Sequence, residues 1–249
     1  MKLESSSLSH IGQVRQKNED ATGFSRPSGS KEREQKGTIF VVADGMGGHR
    51  GGEIASKLAV DTIISTYYTS RHDDPCEALA AAFKKANKII LQKAVGDAEL
   101  FGMGTTCTTM VTIGSNAYFA HVGDSRAYVL RGGKFEQITE DHSLVGEMVR
   151  SGILSNEDAQ HHPKRNVITR SLGTHEELEA DCPLSPFKMS VGDVFLLCSD
   201  GLTSLVPDEE VAETLSSGST KNMCATLVDL ANDKGGKDNI TVQVIKVVS

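Results

Sequence analysis

TTCTTMVTIGSNAYFAHVGDSRAYVLRGGKFEQI, residues 105–138, decides the fold. Four β-prone runs, TTCTTMVTI (105–113), AYFAHV (117–122), RAYVL (126–130) and KFEQI (134–138), are parted by GSN, GDS and Gly132-Gly133. The Gly-Gly pair is a two-residue hairpin signal. Breaks this short belong to an antiparallel meander rather than to βαβ units, which argues against a doubly wound nucleotide-binding fold.

Upstream, IFVVADGMGGHRGG (39–52) is an apolar, β-branched run that stops at Asp44-Gly45 and reads as a buried strand. Residues 8–14 are expected to form a first strand, and the polar stretch 25–37 an exposed loop. Helices are expected over 53–66, with Ile54, Leu58 and Ile63 inward and Ala55 and Ala59 allowing close approach, and from Asp74-Pro75 to about residue 93. In the second of these Asp74 is the N-cap, and Leu79, Phe83, Ala86 and Ile90 mark one face. Downstream, Asp141-His142-Ser143 caps a helix to about Arg150, and Ser155…Asp158 is a capping box for a short second one. Residues 161–173 read as an irregular, basic surface segment. A strand up to Leu197, helices near 208–215 and 221–233, and a last strand from Ile240 to Val248 complete the chain. No internal repeat or long linker stands out, so residues 1–249 are expected to form a single domain.

Four aspartates sit at strand ends beside glycine: Asp44, Asp124, Asp200 and, after Gly235-Gly236-Lys237, Asp238. A carboxylate at the mouth of a buried strand is held rigidly while still facing water, and a neighbouring glycine lets backbone approach a ligand. Any one Asp-Gly is usually a turn, but four together suggest oxygen ligands for hard cations such as Mg²⁺ or Mn²⁺. Two such ions bridged by one aspartate lower the pKa of a shared water and steady displacement at phosphorus. Arg15, in the charged cluster 15–20, has the planar fork to grip a phosphate.

Other chemistries are excluded by inspection. There is no GxxxxGK[ST], complete GxGxxG, HExxH, GxSxG or EF-hand loop, and no cysteine has an arginine six residues on. A net charge of −7 without a basic run gives little support to nucleic-acid or membrane binding. Five cysteines, none spaced CxxC, suit a reducing cytosol, where Cys107 and Cys198 read as small buried hydrophobes. No apolar run approaches membrane-spanning length and 1–10 has no apolar targeting core, so a cytoplasmic location is expected.

Taken in order, Arg15…Asn18-Glu19-Asp20, VADGMGGH (42–49), GMGTT (102–106), HVGDSRAY (121–128), TEDHS (139–143), CSDGL (198–202) and DNIT (238–241) resemble the PPM family across nearly the whole chain. These are metal-dependent protein serine/threonine phosphatases, often called type 2C, and the likeness is to the compact bacterial members. The resemblance implies a four-layer αββα sandwich, two central antiparallel sheets flanked by helix pairs, with a dinuclear centre at one end. By the same carry-over Asp44 bridges two Mn²⁺ or Mg²⁺ ions, Asp200 and Asp238 bind the first, and the Gly45 carbonyl binds the second. Glu19 and Asp20 match the acidic pair beside that second ion, directly or through water, with Asp20 preferred. Asp124 matches a third, weaker metal site shared with Asp200, and Arg15 the phosphate-gripping arginine. Residues 146–170 correspond to the flap beside the site.

Two departures stand out. Where eukaryotic members carry a histidine proposed as general acid, this chain has Met46; His49, three residues on, is read as a local packing or capping group, leaving protonation to metal-bound water. Ser204 stands where some relatives have a further aspartate, which weakens the third site. The implied function is hydrolysis of phosphoserine and phosphothreonine in proteins by a hydroxide bridging the two ions, without a phospho-enzyme. The implied partners are a bacterial serine/threonine protein kinase and its substrates, and the chain is expected to be a monomer. Two rival readings are a regulatory phosphatase dedicated to one anti-sigma-type partner, and a non-catalytic phosphoprotein-binding module, whose mark would be loss of Asp44, Asp200 or Asp238.

Overall fold

The computed structural model describes residues 1–29, 34–47, 51–183 and 185–249. Two antiparallel sheets form its centre. One has the order β1 (Leu3–His10), β11 (Ile240–Val247), β10 (Val194–Cys198), β7 (Arg126–Arg131), β8 (Lys134–Gln137). The other runs β2 (Asp20–Ser25), β3 (Thr38–Met46), β5 (Cys107–Ile113), β6 (Asn116–Val122), β9 (Phe187–Lys188), with β4 (Gly104–Thr105) pairing antiparallel with the end of β3.

Alternation along the strands explains the layering. On β3, Ile39, Val41 and Ala43 face helices α1 (Gly51–Thr69) and α2 (Pro75–Gly96), while Phe40 and Val42 face the opposite sheet. On β10, Val194, Leu196 and Cys198 pack with α6 (Asp208–Leu215) and α7 (Thr220–Asp233), while Phe195 and Leu197 meet Phe40 and Val42 in the middle. Strands covered on both faces read as continuous apolar runs, which is why VVA and VFLLC lack a polar beat. The result is helix pair, sheet, sheet, helix pair, as the family resemblance implies.

Two expectations need correction. The first strand is residues 3–10, not 8–14. It pairs with β11 from Leu3↔Val247 to His10↔Ile240, and the chain then turns at Gly12 (φ 84°). Its serines hide it from a hydrophobicity reading: Ser6 pairs with Thr220 at 2.9 Å and Ser9 with Thr241 at 2.7 Å, so hydroxyls do the contact work on this edge. The meander is also divided: β5 and β6 lie in one sheet, β7 and β8 in the other, and Gly123-Asp124-Ser125 is the crossover. Gly123 has φ 107°, and a Cβ there would come within 2.5 Å of the Thr106 side chain. β10 passes straight into a helical turn, α5 (Asp200–Thr203), so the strand-end Asp200 also opens a short helix.

The helices match expectation closely. Asp74 accepts from the N–H of Cys76 (2.8 Å) and Glu77 (3.0 Å) with Pro75 at the first position, an N-cap arrangement that satisfies otherwise orphaned donors. Leu79, Phe83, Ala86 and Ile90 are fully buried against the β2–β9 sheet. Leu79→Ala is expected to cost about 3 kcal/mol, since transfer and cavity losses add. Urea and thermal unfolding of the variant test this; a loss below about 0.5 kcal/mol would contradict the packing described.

Candidate functional site

Asp44 lies two residues before the end of β3, directly opposite Asp20 on β2. Its backbone is held on both sides: its N–H donates to Thr106 Oγ1 (3.1 Å), and its carbonyl accepts from Thr106 N–H (2.9 Å) and the Thr105 hydroxyl (2.8 Å). Thr106 in turn pairs with Ser125 Oγ at 2.6 Å, next to Asp124. Gly45 follows under tight constraint; its N–H donates to the Glu19 carbonyl (3.1 Å), and a Cβ would come within 2.1 Å of Gly52 O. No side chain fits there.

The strand ends and the crossover bring Asp20, Asp44, Asp124, Asp200 and Asp238 to one end of the sandwich. Each of the first four has its pKa raised, with removal from water the largest cause and neighbouring carboxylates adding to it. Asp20 is pushed up to about 7 and Asp124 to about 8. Asp44 is raised well above the usual range, and after burial the contributors are Asp20, Asp200, Asp124 and Asp238. Asp20 Oδ2 accepts from the Ser199 hydroxyl at 2.7 Å, but Asp20 Oδ1 and Asp124 Oδ1 are buried with no hydrogen-bond partner. Such orphaned carboxylate oxygens are costly unless a cation or proton meets them. Among the described residues no three His, Cys, Asp or Glu side chains are drawn into a closed cage. Asp238 leans to Arg15 Nη2 at 2.6 Å and Asp20 to Ser199. The donor set is nonetheless all carboxylate, crowded and short of positive charge, which fits hard divalent cations such as Mg²⁺ and Mn²⁺.

Two residues without a role in the sequence reading hold this end together. Asn239 accepts from Glu19 N–H (2.7 Å) and donates to the carbonyls of Ile11 and Lys17 (2.9 Å each), latching the 11–19 loop onto β11. Ser199 bonds Asp20 and accepts from Thr241 N–H at 3.0 Å. Both are polar neighbours of strand-end aspartates, in CSDGL and DNIT, and that adjacency was the available signal. Arg15, on the latched loop, is half-exposed beside Asp238. Met46 pairs with Gly104 on β4 and has no proton to give. His49 lies outside the described residues.

A cleft of about 1000 Å³ opens over Asp124 and Asp200, with Arg126, Arg150, Arg165 and Ser204 among its walls. Its outer wall is the 144–168 segment, with helices α3 (Leu144–Arg150) and α4 (Asn156–His161) capped by Ser143 and Ser155 as expected. The segment is pinched at its base, where Leu144 N–H donates to Val167 O and Thr169 N–H to His142 O, both at 2.8 Å. Arg126 braces the floor with a bidentate pair to Asp141 (2.9 and 2.7 Å). Beneath lies a histidine pair, ring centroids 5.0 Å apart. His142 Nδ1 accepts from Gly123 N–H (3.2 Å) and its Nε2 meets Asp181 (3.0 Å). His121 Nε2 donates to the Gly123 carbonyl (3.0 Å) and its Nδ1 pairs with the Thr108 hydroxyl (2.9 Å). Cys198 is fully buried with its thiol pushed up to about 12, so it packs rather than attacks.

A family model for Protein phosphatase 2C matches residues 9–232. The serine/threonine phosphatase Stp of Listeria innocua is 40% identical over 240 residues, covering 94% of this chain and 92% of its own. Protein phosphatase PhpP of Streptococcus pneumoniae is 36% identical over 249 residues, 98% of each chain. Among solved structures, the serine/threonine phosphatase of S. agalactiae superposes with a TM-score of 0.89 at 35% identity, over 99% of this chain and 100% of that one. The catalytic domain of the phosphatase PstP in complex with two manganese ions superposes with a TM-score of 0.85 at 34% identity, over 99% of each.

The histidine pair makes a pH prediction. Burial, then the neighbouring His142, push His121 down to about 4, against the pull of Asp141, the Gly123 carbonyl and Asp181. The unfolded chain takes up this proton first, near pH 6.5. The contribution of neutral His121 is therefore complete above about pH 6.5 and is lost as pH falls toward 4, on the order of 3 kcal/mol in all. Urea unfolding of wild type and His121→Gln at pH 7, 6, 5 and 4 should give stability curves that converge in acid; parallel curves would contradict it.

Proposed function

The chain belongs to the protein phosphatase 2C family and is a serine/threonine protein phosphatase; from that premise we propose that it hydrolyses phosphoserine and phosphothreonine monoesters with two divalent ions, Mn²⁺ or Mg²⁺. On this reading Asp44, Asp200 and Asp238 would hold the first ion, and Asp44, the Gly45 carbonyl and Asp20 the second. A third, weaker site lies between Asp124 and Asp200. The observation that carries the reading is the gathering of five carboxylates at one end of the sandwich, with two buried oxygens unpartnered.

Bound there, the ions supply Lewis acidity toward the phosphoryl oxygens and an activated water. The chain supplies the positioning. Thr105 and Thr106 hold the Asp44 backbone, and the Asn239 latch carries the loop with Arg15 and Glu19 to the same end. Arg15, half-exposed beside Asp238, presents a guanidinium that grips the phosphate and fixes its approach. The cleft over Asp124 and Asp200 has room for a phosphorylated peptide segment, and its arginines suit an anionic one.

Among the described residues no helix is long and apolar enough to cross a membrane. We take residues 1–249 as one catalytic domain, acting in the cytoplasm as a monomer on phosphorylated proteins, among them a cognate serine/threonine kinase and its targets. Phosphate release from a phosphothreonine peptide tests the reading. Turnover should require added Mn²⁺, vanish with excess chelator and fall about 100-fold or more in Asp44→Asn. Arg15→Ala should lower kcat/KM about 10- to 100-fold, the worth of a charged hydrogen bond to substrate. Full turnover in chelator, or an Asp44→Asn variant as active as wild type, would overturn it.

A further inference from the structure

Two thiols meet away from the carboxylate cluster. Cys76 is the second residue of α2 and is buried; Cys182 is partly exposed and follows Asp181 in the segment leading to β9. Cys76 Sγ donates at 3.4 Å to the carbonyl of Pro183, the residue next to Cys182, which sets the two thiols side by side, and Cys182 packs against the same helix-side core. Both are free thiols. We propose that Cys76 and Cys182 form a peroxide-oxidisable dithiol, a modification site that closes reversibly to an intramolecular disulfide.

The surroundings assign the roles. The hydrogen bond from Cys182 holds the Cys76 thiol below its usual range against burial and Asp74, and the same bond, then burial, raises Cys182. The N-terminal turn of α2, a helix of 22 residues, also favours a thiolate at Cys76. The other three cysteines are buried with their thiols pushed up, Cys107 and Cys198 to about 12 and Cys224 to about 11, and stay protonated and inert. In the first step the Cys76 thiolate attacks one oxygen of hydrogen peroxide. The O–O bond breaks, Cys76 becomes a sulfenic acid, and the departing hydroxide takes a proton and leaves as water. In the second step the Cys182 sulfur attacks the Cys76 sulfur as its proton passes to the departing hydroxide; the S–S bond forms, the S–O bond breaks, and a second water leaves. Two thiols and one peroxide thus give one disulfide and two waters, and a dithiol reductant restores the thiols.

The cross-link joins the start of α2 to the residue after Asp181. Asp181 exchanges backbone hydrogen bonds with His121 (2.9 and 3.0 Å), and its carboxylate accepts from Arg170 (3.0 Å) and meets His142. Oxidation therefore anchors the segment that props the base of the cleft. Because it closes a loop of about 100 residues in the unfolded chain, the oxidised protein should melt about 5–10 °C higher than the reduced one.

The test uses the full chain, treated with hydrogen peroxide, denatured, alkylated with iodoacetamide and digested without reductant. Mass spectrometry should find one disulfide, between Cys76 and Cys182, with the other three cysteines alkylated, and dithiothreitol should return both the thiols and the lower Tm. Cys182→Ser should leave a sulfenic acid at Cys76 that dimedone traps; Cys76→Ser should leave Cys182 unmodified. Alkylation of all five thiols after peroxide, a disulfide to any other cysteine, or a dimedone adduct at Cys182 in place of Cys76 would overturn the proposal.

Discussion

The burial of crowded carboxylates is the constraint on which the functional end of this molecule depends. Burial first, and neighbouring carboxylates after it, raise the proton affinity of Asp20, Asp44, Asp124 and Asp200, and two of their oxygens are buried without a partner. Left alone, such a cluster would push its strands apart. The fold opposes this with hydroxyl and backbone hydrogen bonds, and with the positive charge of Arg15 and Arg126 from the edge. Thr105 and Thr106 grip Asp44, Ser199 grips Asp20, and Arg15 reaches Asp238 from the rim. The cluster is rigid and underneutralised together, and that combination selects small, hard cations.

The rigidity is inherited from the sandwich. Strands β3 and β10 are apolar on both faces, so each is clamped between a helix layer and the opposite sheet, and the residue at its end has little freedom. Glycine then serves close approach: Gly45 fits under Gly52, and a Cβ on Gly201 would come within 2.0 Å of the Asn239 carbonyl. The first contact joins the end of β3 to the start of α1, and the second joins α5 to the residue that precedes β11. The Asn239 latch extends the same logic to the N-terminal loop, whose irregular backbone has no ladder of its own.

Much of this was legible in the sequence where physics is local. The caps at Asp74, Ser143 and Ser155, the buried face of α2 and the strand-end aspartates follow from spacing and residue type, and the order of the motifs pointed to the sandwich. What was hidden is long-range. β1 is built of serines because its partners across β11 and α7 offer hydroxyls, so hydrophobic periodicity misses it. The division of the meander between two sheets at Gly123-Asp124-Ser125 depends on the crowding of Gly123 against Thr106, a contact seventeen positions apart. The work of Ser199 and Asn239 likewise appears only when strands distant in sequence lie side by side.

Counting the ions the cluster binds addresses the central claim most directly, without reference to turnover. Equilibrium titration of the chelator-stripped chain with Mn²⁺, read by the electron paramagnetic resonance of the free ion, should find at least two ions bound per chain, with a weaker third near Asp124. Asp44→Asn, which removes the bridging charge, should lose at least one of the two tighter ions. Binding of one ion or none, or an unchanged count in the variant, would contradict the view that these carboxylates are gathered to hold a pair of cations.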